Sequence, residues 1–146
     1  MFRTLAIAWT LVLAVPALSA EAILTGHAHA LDGDTLRIGG VDVRLKGIAA
    51  PERGEPGGPE ATDAIRRLIG DREVRCELTG ERTRGRGVGF CFVGTLDLQA
   101  EMARGGYVKA CPRYSRRYVA LEREGRARNG PAWRVGYRLP DYCIAR

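Results

Sequence analysis

The sequence predicts an α+β protein whose first half is rich in strands. Hydrophobic and polar residues alternate along 41–46, and turn signals at Asp32-Gly33 and Gly39-Gly40 separate short strand-like runs. Helical spacing of apolar residues follows at 60–69. A chain of 146 residues is long enough for one domain with a substantial core.

Five strands and three helices are expected in order along the chain. The strands are predicted at 23–31, 35–38, 41–46, 72–78 and 88–93. The helices are predicted at 60–69, 98–104 and 115–128, although Gly125 lowers the helix propensity of the third. Gly70 and Gly105-Gly106 end the first two helices, and Asp97 is a suitable N-cap for the second. Residues 80–87 are predicted to be a basic loop between the last two strands.

The N-terminus has the three parts of a secretory signal peptide. Arg3 precedes an apolar run at 5–18, and small residues follow at 19–22. Cleavage is expected after Ala20 or Ala22. The run is shorter than the roughly 20 apolar residues of a membrane span. An uncleaved anchor and a buried helix are the alternatives.

We therefore expect residues 1–22 to be removed and residues 23–146 to form the mature domain. The protein would be secreted or periplasmic, with no stable membrane insertion once the signal is gone. A monomer is the expected oligomeric state.

The four cysteines are an even number, which suits disulfide bonding in an exported protein. Cys76 and Cys91 flank a predicted hairpin, and Cys111 and Cys143 bracket the C-terminal region. Bonds within these two pairs are the prediction, out of three possible connectivities. A zinc site is the competing interpretation, but the chain has no Cys-x-x-Cys pair and both histidines lie far upstream.

The net charge of +6 is concentrated at the C-terminal end. Residues 1–110 hold 14 basic and 14 acidic residues, whereas residues 111–146 hold nine arginines and three acids. A basic region of this kind attracts polyanions such as nucleic acid. A solvated surface is the alternative explanation, and charge alone does not separate the two.

Three charged positions near the second and third strands indicate a chemical site. Asp32-Gly33-Asp34-Thr35 is an acidic tight turn, Arg44 lies on the next strand, and Pro51-Glu52 follows that strand's end. Two acids and a cation that converge on one point suit a divalent metal beside a phosphate. Each residue also has a structural explanation: a turn cap for Asp34, a surface pair with Asp42 for Arg44, and a solvated loop acid for Glu52.

These motifs resemble the thermonuclease (staphylococcal-nuclease-like) family over nearly the whole chain after residue 22. The similarity rests on the following segments: Asp-Gly-Asp-Thr at 32–35, Arg-Leu-x-Gly-Ile at 44–48, Pro-Glu at 51–52, Gly-Pro-Glu-Ala at 58–61, Gly-Arg at 85–86, Asp-Leu at 97–98, Gly-x-x-Lys at 106–109 and Trp133. The resemblance implies a five-stranded OB-fold barrel with about three helices. It also implies an exported phosphodiesterase or endonuclease that hydrolyses DNA or RNA with a divalent metal, Ca²⁺.

The resemblance assigns roles residue by residue. The implied metal ligands are Asp34 and the backbone carbonyl of Ala50, and the implied catalytic residues are Arg44, Glu52 and Arg86. Glu52 would act on the attacking water, while the two arginines would bind the phosphate oxygens. The candidates for holding the nucleotide are Arg84, Lys109 and Tyr114.

One position departs from the family pattern at the expected metal site. Ala49 stands where the family has an aspartate that binds the metal. The loss removes a charge and an oxygen ligand, so metal affinity should fall. Asp42 lies two residues from Arg44, about 6.6 Å along the strand, which makes direct rescue by it doubtful. The alternative function is therefore a catalytically impaired OB-fold module that binds nucleic acid or another polyanion.

Overall fold

The computed structural model describes residues 22–144, where eight strands and four α-helices are found. The strands are β1 (Ala22–Asp32), β2 (Thr35–Ile38), β3 (Val41–Leu45), β4 (Ile48–Ala49), β5 (Glu73–Thr83), β6 (Arg86–Val93), β7 (Leu96–Asp97) and β8 (Lys109–Ala110). The helices are α1 (Gly58–Ile69), α2 (Leu98–Arg104), α3 (Glu122–Ala127) and α4 (Pro131–Arg134), and a 3-10 helix spans Asp141–Cys143. The predicted signal peptide lies outside this range except for Ala22, which begins β1.

Five strands close into a barrel, and this confirms the predicted α+β class and OB-fold. The sheet order is β3-β2-β1-β5-β6, and a parallel pairing of β3 with β6 joins the two edges. Antiparallel pairing of β2 with β3 places Thr35 opposite Arg44. The barrel interior is filled by apolar side chains from the strands and helices, among them Leu36, Ile38, Val43, Leu45, Ile65, Val74, Leu98 and Met102.

The prediction of a basic loop at 80–87 is wrong, because β5 and β6 extend through these residues and form one hairpin. Their turn is formed by Arg84 and Gly85, which both have positive φ angles of 49° and 79°. Two consecutive positive φ angles are the requirement of the tight turns that join antiparallel strands. The register shifts between Leu78 and Arg82, so Gly80 is accommodated within the strand.

The first two helices form where the sequence predicts them. Helix α1 begins two residues earlier than expected, with Pro59 in its first turn, and it ends before Gly70 as predicted. Asp97 caps α2 by accepting a hydrogen bond from the Ala100 amide at 3.0 Å.

The prediction of a third helix at 115–128 is wrong for the first half of that range. Only Glu122–Ala127 is helical, because Tyr118 is fully buried and donates its hydroxyl to Asp97, so tertiary packing overrides helix propensity there. Gly125 is required by this packing, since a Cβ at that position would lie 2.6 Å from the Cα of Gly106. Helix α4 and the 3-10 helix were not predicted.

Both predicted disulfides are confirmed. Cys76 and Cys91 are opposite each other on β5 and β6, and Cys111 is bonded to Cys143. These bonds account for all four cysteines, and such disulfides are typical of oxidising compartments. Within residues 22–144, none of the helices is long and apolar enough to cross a membrane.

Candidate active site

The acidic turn between β1 and β2 aims Asp34 towards the protein interior. The Asp34 amide donates to the side chain of Asp32 at 2.9 Å, so Asp32 is the residue that caps the turn. Gly33 allows a close approach, because a Cβ there would lie 2.6 Å from that of Ala61 and 2.8 Å from that of Ala50. Burial raises the pKa of Asp32, although nearby Arg44 acts in the opposite direction.

The carboxylate of Asp34 is buried and has protein partners on both oxygens. Its Oδ2 accepts a hydrogen bond from the Ala50 amide at 2.7 Å. Its Oδ1 accepts from the hydroxyl of Thr35 at 3.1 Å and forms an ion pair with Arg44. Asp34 therefore joins the turn to β3 and to the segment after β4.

Arg44 is held in place from two sides. One guanidinium nitrogen forms the ion pair with Asp34, and the other donates to the carbonyl of Ile48 at 3.2 Å. Burial lowers the pKa of Arg44. The suggested surface pair with Asp42 is wrong, because Asp42 binds Arg37 at 2.6 Å.

A cleft of about 570 Å³, which we call the arginine cleft, brings most of the predicted residues together. Its predicted members are Asp34, Arg44, Glu52, Arg84, Arg86 and Tyr114. Arg86 donates to the hydroxyl of Thr35 at 3.4 Å and to the Thr83 carbonyl at 3.3 Å. Glu52 is exposed, and within residues 22–144 its carboxylate has no ion pair.

The arginine cleft also contains residues that sequence analysis did not assign to the site. They are Lys46, Glu81, Arg82 and Tyr142. Lys46 directly follows β3 and lies two residues after Arg44, so the periodicity of the strand predicted at 41–46 could have found it. No local sequence signal places Tyr142 there. The five basic and three acidic lining side chains give the cleft a net charge of +2.

Lys109, predicted to hold the nucleotide, does not line the arginine cleft. Its ammonium lies 4.1 Å from the centre of the Trp133 ring, and partial burial lowers its pKa. The Ala50 carbonyl, predicted as a metal ligand, accepts a hydrogen bond from the hydroxyl of Tyr137 at 3.0 Å. Burial raises the pKa of Tyr137, which keeps this donor protonated.

Ala49 is a buried packing residue. It has no exposed surface and packs with the disulfide of Cys111 and Cys143 and with Leu139. The position where the family has a metal-binding aspartate is thus covered by a disulfide and an apolar side chain.

The residues present do not fit a Ca²⁺ site in this arrangement. Ca²⁺ takes six to eight oxygen ligands, but both oxygens of Asp34 are engaged, and Arg44 already neutralises its charge. Among residues 22–144 there is no group of three histidine, cysteine or acidic side chains that could hold a metal.

Comparison with known proteins identifies the family to which this chain is similar. The family model described as "Staphylococcal nuclease homologue" matches residues 42–134, and that family is generally metal-dependent. Two rice proteins (Oryza sativa subsp. japonica) named "Probable staphylococcal-like nuclease CAN2" and "Probable staphylococcal-like nuclease CAN3" are 33% and 32% identical over 96 residues. Each alignment covers 64% of this chain and 26% of the rice protein.

A third relative is the "Succinoglycan biosynthesis protein ExoI" of Rhizobium meliloti (strain 1021). It is 38% identical over 85 residues, which are 51% of this chain and 44% of that protein. The chain thus spans about a quarter of the rice relatives and less than half of the bacterial one. Since the family model covers more than half of the sequence, the chain belongs to the family of staphylococcal nuclease homologues.

Proposed function

We propose that this chain binds phosphodiesters of DNA or RNA in the arginine cleft and hydrolyses them. The observation that carries the proposal is the convergence of Asp34, Arg44, Glu52 and Arg86 on one cleft, although they are up to 52 positions apart in sequence. Membership of a nuclease family supports the same activity. The net positive charge of the cleft favours a polyanionic substrate.

The side chains suggest a division of roles. Arg44 and Arg86 present planar guanidinium groups to the phosphate oxygens and stabilise the charge that builds up there. The hydrogen bond from Arg44 to the Ile48 carbonyl orients the guanidinium group before substrate binds. Glu52 takes a proton from water as the water oxygen attacks phosphorus, and the ester oxygen leaves with a proton from solvent.

Ca²⁺ is the ion that the resemblance implies for this site. The hydrolysis described above includes no step on Ca²⁺, because both oxygens of Asp34 and the carbonyl of Ala50 already have protein partners. The dependence of hydrolysis on Ca²⁺ is part of the test below.

A second candidate function is a non-catalytic module that binds nucleic acid or another polyanion. The specific observation in its favour is Ala49, which is buried against a disulfide where the family has a metal-binding acid. Such a module would keep the arginines and lose turnover. Its affinity would fall steeply as salt rises, because phosphate contacts release counterions.

We propose further that the mature domain is 23–146, that it acts as a monomer, and that it is secreted or periplasmic. Two disulfides and the signal-like N-terminal sequence support an oxidising location. Mass spectrometry of exported material tests the cleavage after residue 22.

The experiment for hydrolysis compares the oxidised protein with two variants on single-stranded DNA and on RNA, with Ca²⁺ and with a chelator. Glu52→Gln should lower the rate by about a hundredfold or more, the range for loss of a general base. Glu60→Gln is the matched control, because Glu60 is an exposed acid on α1 outside the cleft. Binding without cleavage in every condition would establish the second candidate in place of the first.

A further inference from the structure

The C-terminal segment adds an aromatic wall to the arginine cleft. Tyr142 and Tyr114 both line the cleft, and each leaves 49% of its surface exposed. Exposed apolar side chains that share one cleft with polar residues at its rim are typical of ligand-binding grooves. Tyr142 and Cys143 lie beyond residue 134, where the match to the family ends.

One disulfide fixes both tyrosines. Tyr142 directly precedes Cys143, and the amide of Tyr114 donates to the carbonyl of Cys111 at 3.1 Å. The amide of Arg113 donates to the carbonyl of Cys143 at 3.2 Å, which joins the two segments a second time. The backbone that carries both rings is therefore cross-linked beside the arginines of the cleft, so little backbone entropy is lost when a flat ligand stacks on the rings.

We propose that Tyr142, together with Tyr114, forms a stacking platform for an unpaired nucleobase whose phosphate lies against Arg44 and Arg86. This inference rests on the proposed function and specifies its substrate as single-stranded nucleic acid. A base can stack on an aromatic ring only when it is unpaired and its face is free, whereas duplex bases are already stacked. A cleft of about 570 Å³ has the size of a small-ligand site, which suits one nucleotide unit.

The test measures binding of a fluorescein-labelled short oligothymidylate, of an abasic strand with the same length and charge, and of a duplex. Chelator is present, and the strands are checked to be intact. Tyr142→Ala should weaken oligothymidylate binding about tenfold, which corresponds to the stacking of one base. It should leave abasic binding unchanged, because the phosphate contacts remain.

Two further variants separate stacking from other effects. Tyr142→Phe should restore tight binding if the ring acts by stacking, and should not if the hydroxyl binds phosphate. Ile144→Ala is the control, because Ile144 is an exposed apolar residue of the same segment that does not line the cleft. Tyr142→Trp gives a direct signal: its fluorescence should be quenched by oligothymidylate and not by the abasic strand.

The results distinguish this inference from the proposed function. Equal affinity of the wild type for oligothymidylate and the abasic strand, or unchanged binding by Tyr142→Ala, would overturn the platform and leave the proposed function standing. Absence of binding to every strand would overturn both.

Discussion

Restoring the aspartate of the family pattern should destabilise this protein. Ala49 has no exposed surface, and the apolar cluster that it packs in consists of a disulfide and Leu139. In Ala49→Asp the new carboxylate would leave water and receive no partner from that cluster. An unpaired buried charge is among the most costly changes in a protein interior.

The size of the effect follows from the pKa that burial imposes. Full burial can raise the pKa of a carboxyl group by about 3 units or more. At about 1.4 kcal/mol per unit, a shift of about 3 units lowers the free energy of unfolding at neutral pH by about 4 kcal/mol. For a domain of this size, that loss lowers Tm by about 10–15 °C.

The destabilisation caused by Ala49→Asp should decrease as pH falls. A buried aspartate has a folded pKa above its unfolded value of about 3.9, so the cost is complete above the folded pKa. The cost shrinks as pH falls. Below about pH 4 the new carboxyl group is protonated in both the folded and the unfolded state, so only a steric cost remains. Ala49→Asn is the control, because it has nearly the same volume and does not titrate.

Thermal unfolding with and without Ca²⁺ between pH 4 and pH 8 provides the assay. We expect Ala49→Asp to have a low Tm at pH 7 that Ca²⁺ does not restore. If Ala49→Asp keeps the wild-type Tm at pH 7 and Ca²⁺ raises it further, the carboxylate reaches a metal and the reasoning is refuted.

Two further changes test the barrel that carries the cleft. Gln99 is fully buried, its side-chain oxygen accepts from the Cys91 amide at 2.9 Å, and its amide donates to the carbonyl of Gly89 at 3.1 Å. Gln99→Leu should cost about 2–3 kcal/mol in urea unfolding, since buried backbone groups lose their partners, and a cost below 1 kcal/mol would contradict this role. Replacing Cys76 and Cys91 together by alanine removes a loop closure of 15 residues and should cost about 3 kcal/mol; unchanged stability would contradict the loop-closure argument.

The parts of the fold that sequence analysis predicted depend on local chemistry. Asp32-Gly33 specifies a turn, and the alternation along β3 specifies which face of the strand is buried; both depend on a few neighbouring residues. Asp97 caps α2 because its side chain accepts a hydrogen bond from the amide of Ala100, three residues later. The barrel itself required the resemblance, since strand patterns do not specify which edges meet.

What sequence analysis missed depends on residues far apart in the chain. Residues 115–121 form turns in place of the predicted helix, and within them Tyr118 is buried in the core with its hydroxyl donated to Asp97. Tyr142 enters the arginine cleft because Cys143 is bonded to a residue 32 positions earlier. The pair of Arg44 with Asp34 follows from the β2–β3 register and from the inward direction of the turn, and neither of these was predicted.

Ala49 packs against the Cys111–Cys143 disulfide, and a double-mutant cycle can measure the energetic coupling between the two sites. The disulfide covers the Ala49 side chain, so an aspartate at 49 should cost less once Cys111 and Cys143 are replaced by alanine. We expect the cost of Ala49→Asp to fall from about 4 to about 1 kcal/mol in that background, because water can then reach the carboxylate. A coupling near zero would show that the disulfide does not exclude an acid from this position, and loss of the metal-binding aspartate would then be independent of the C-terminal segment.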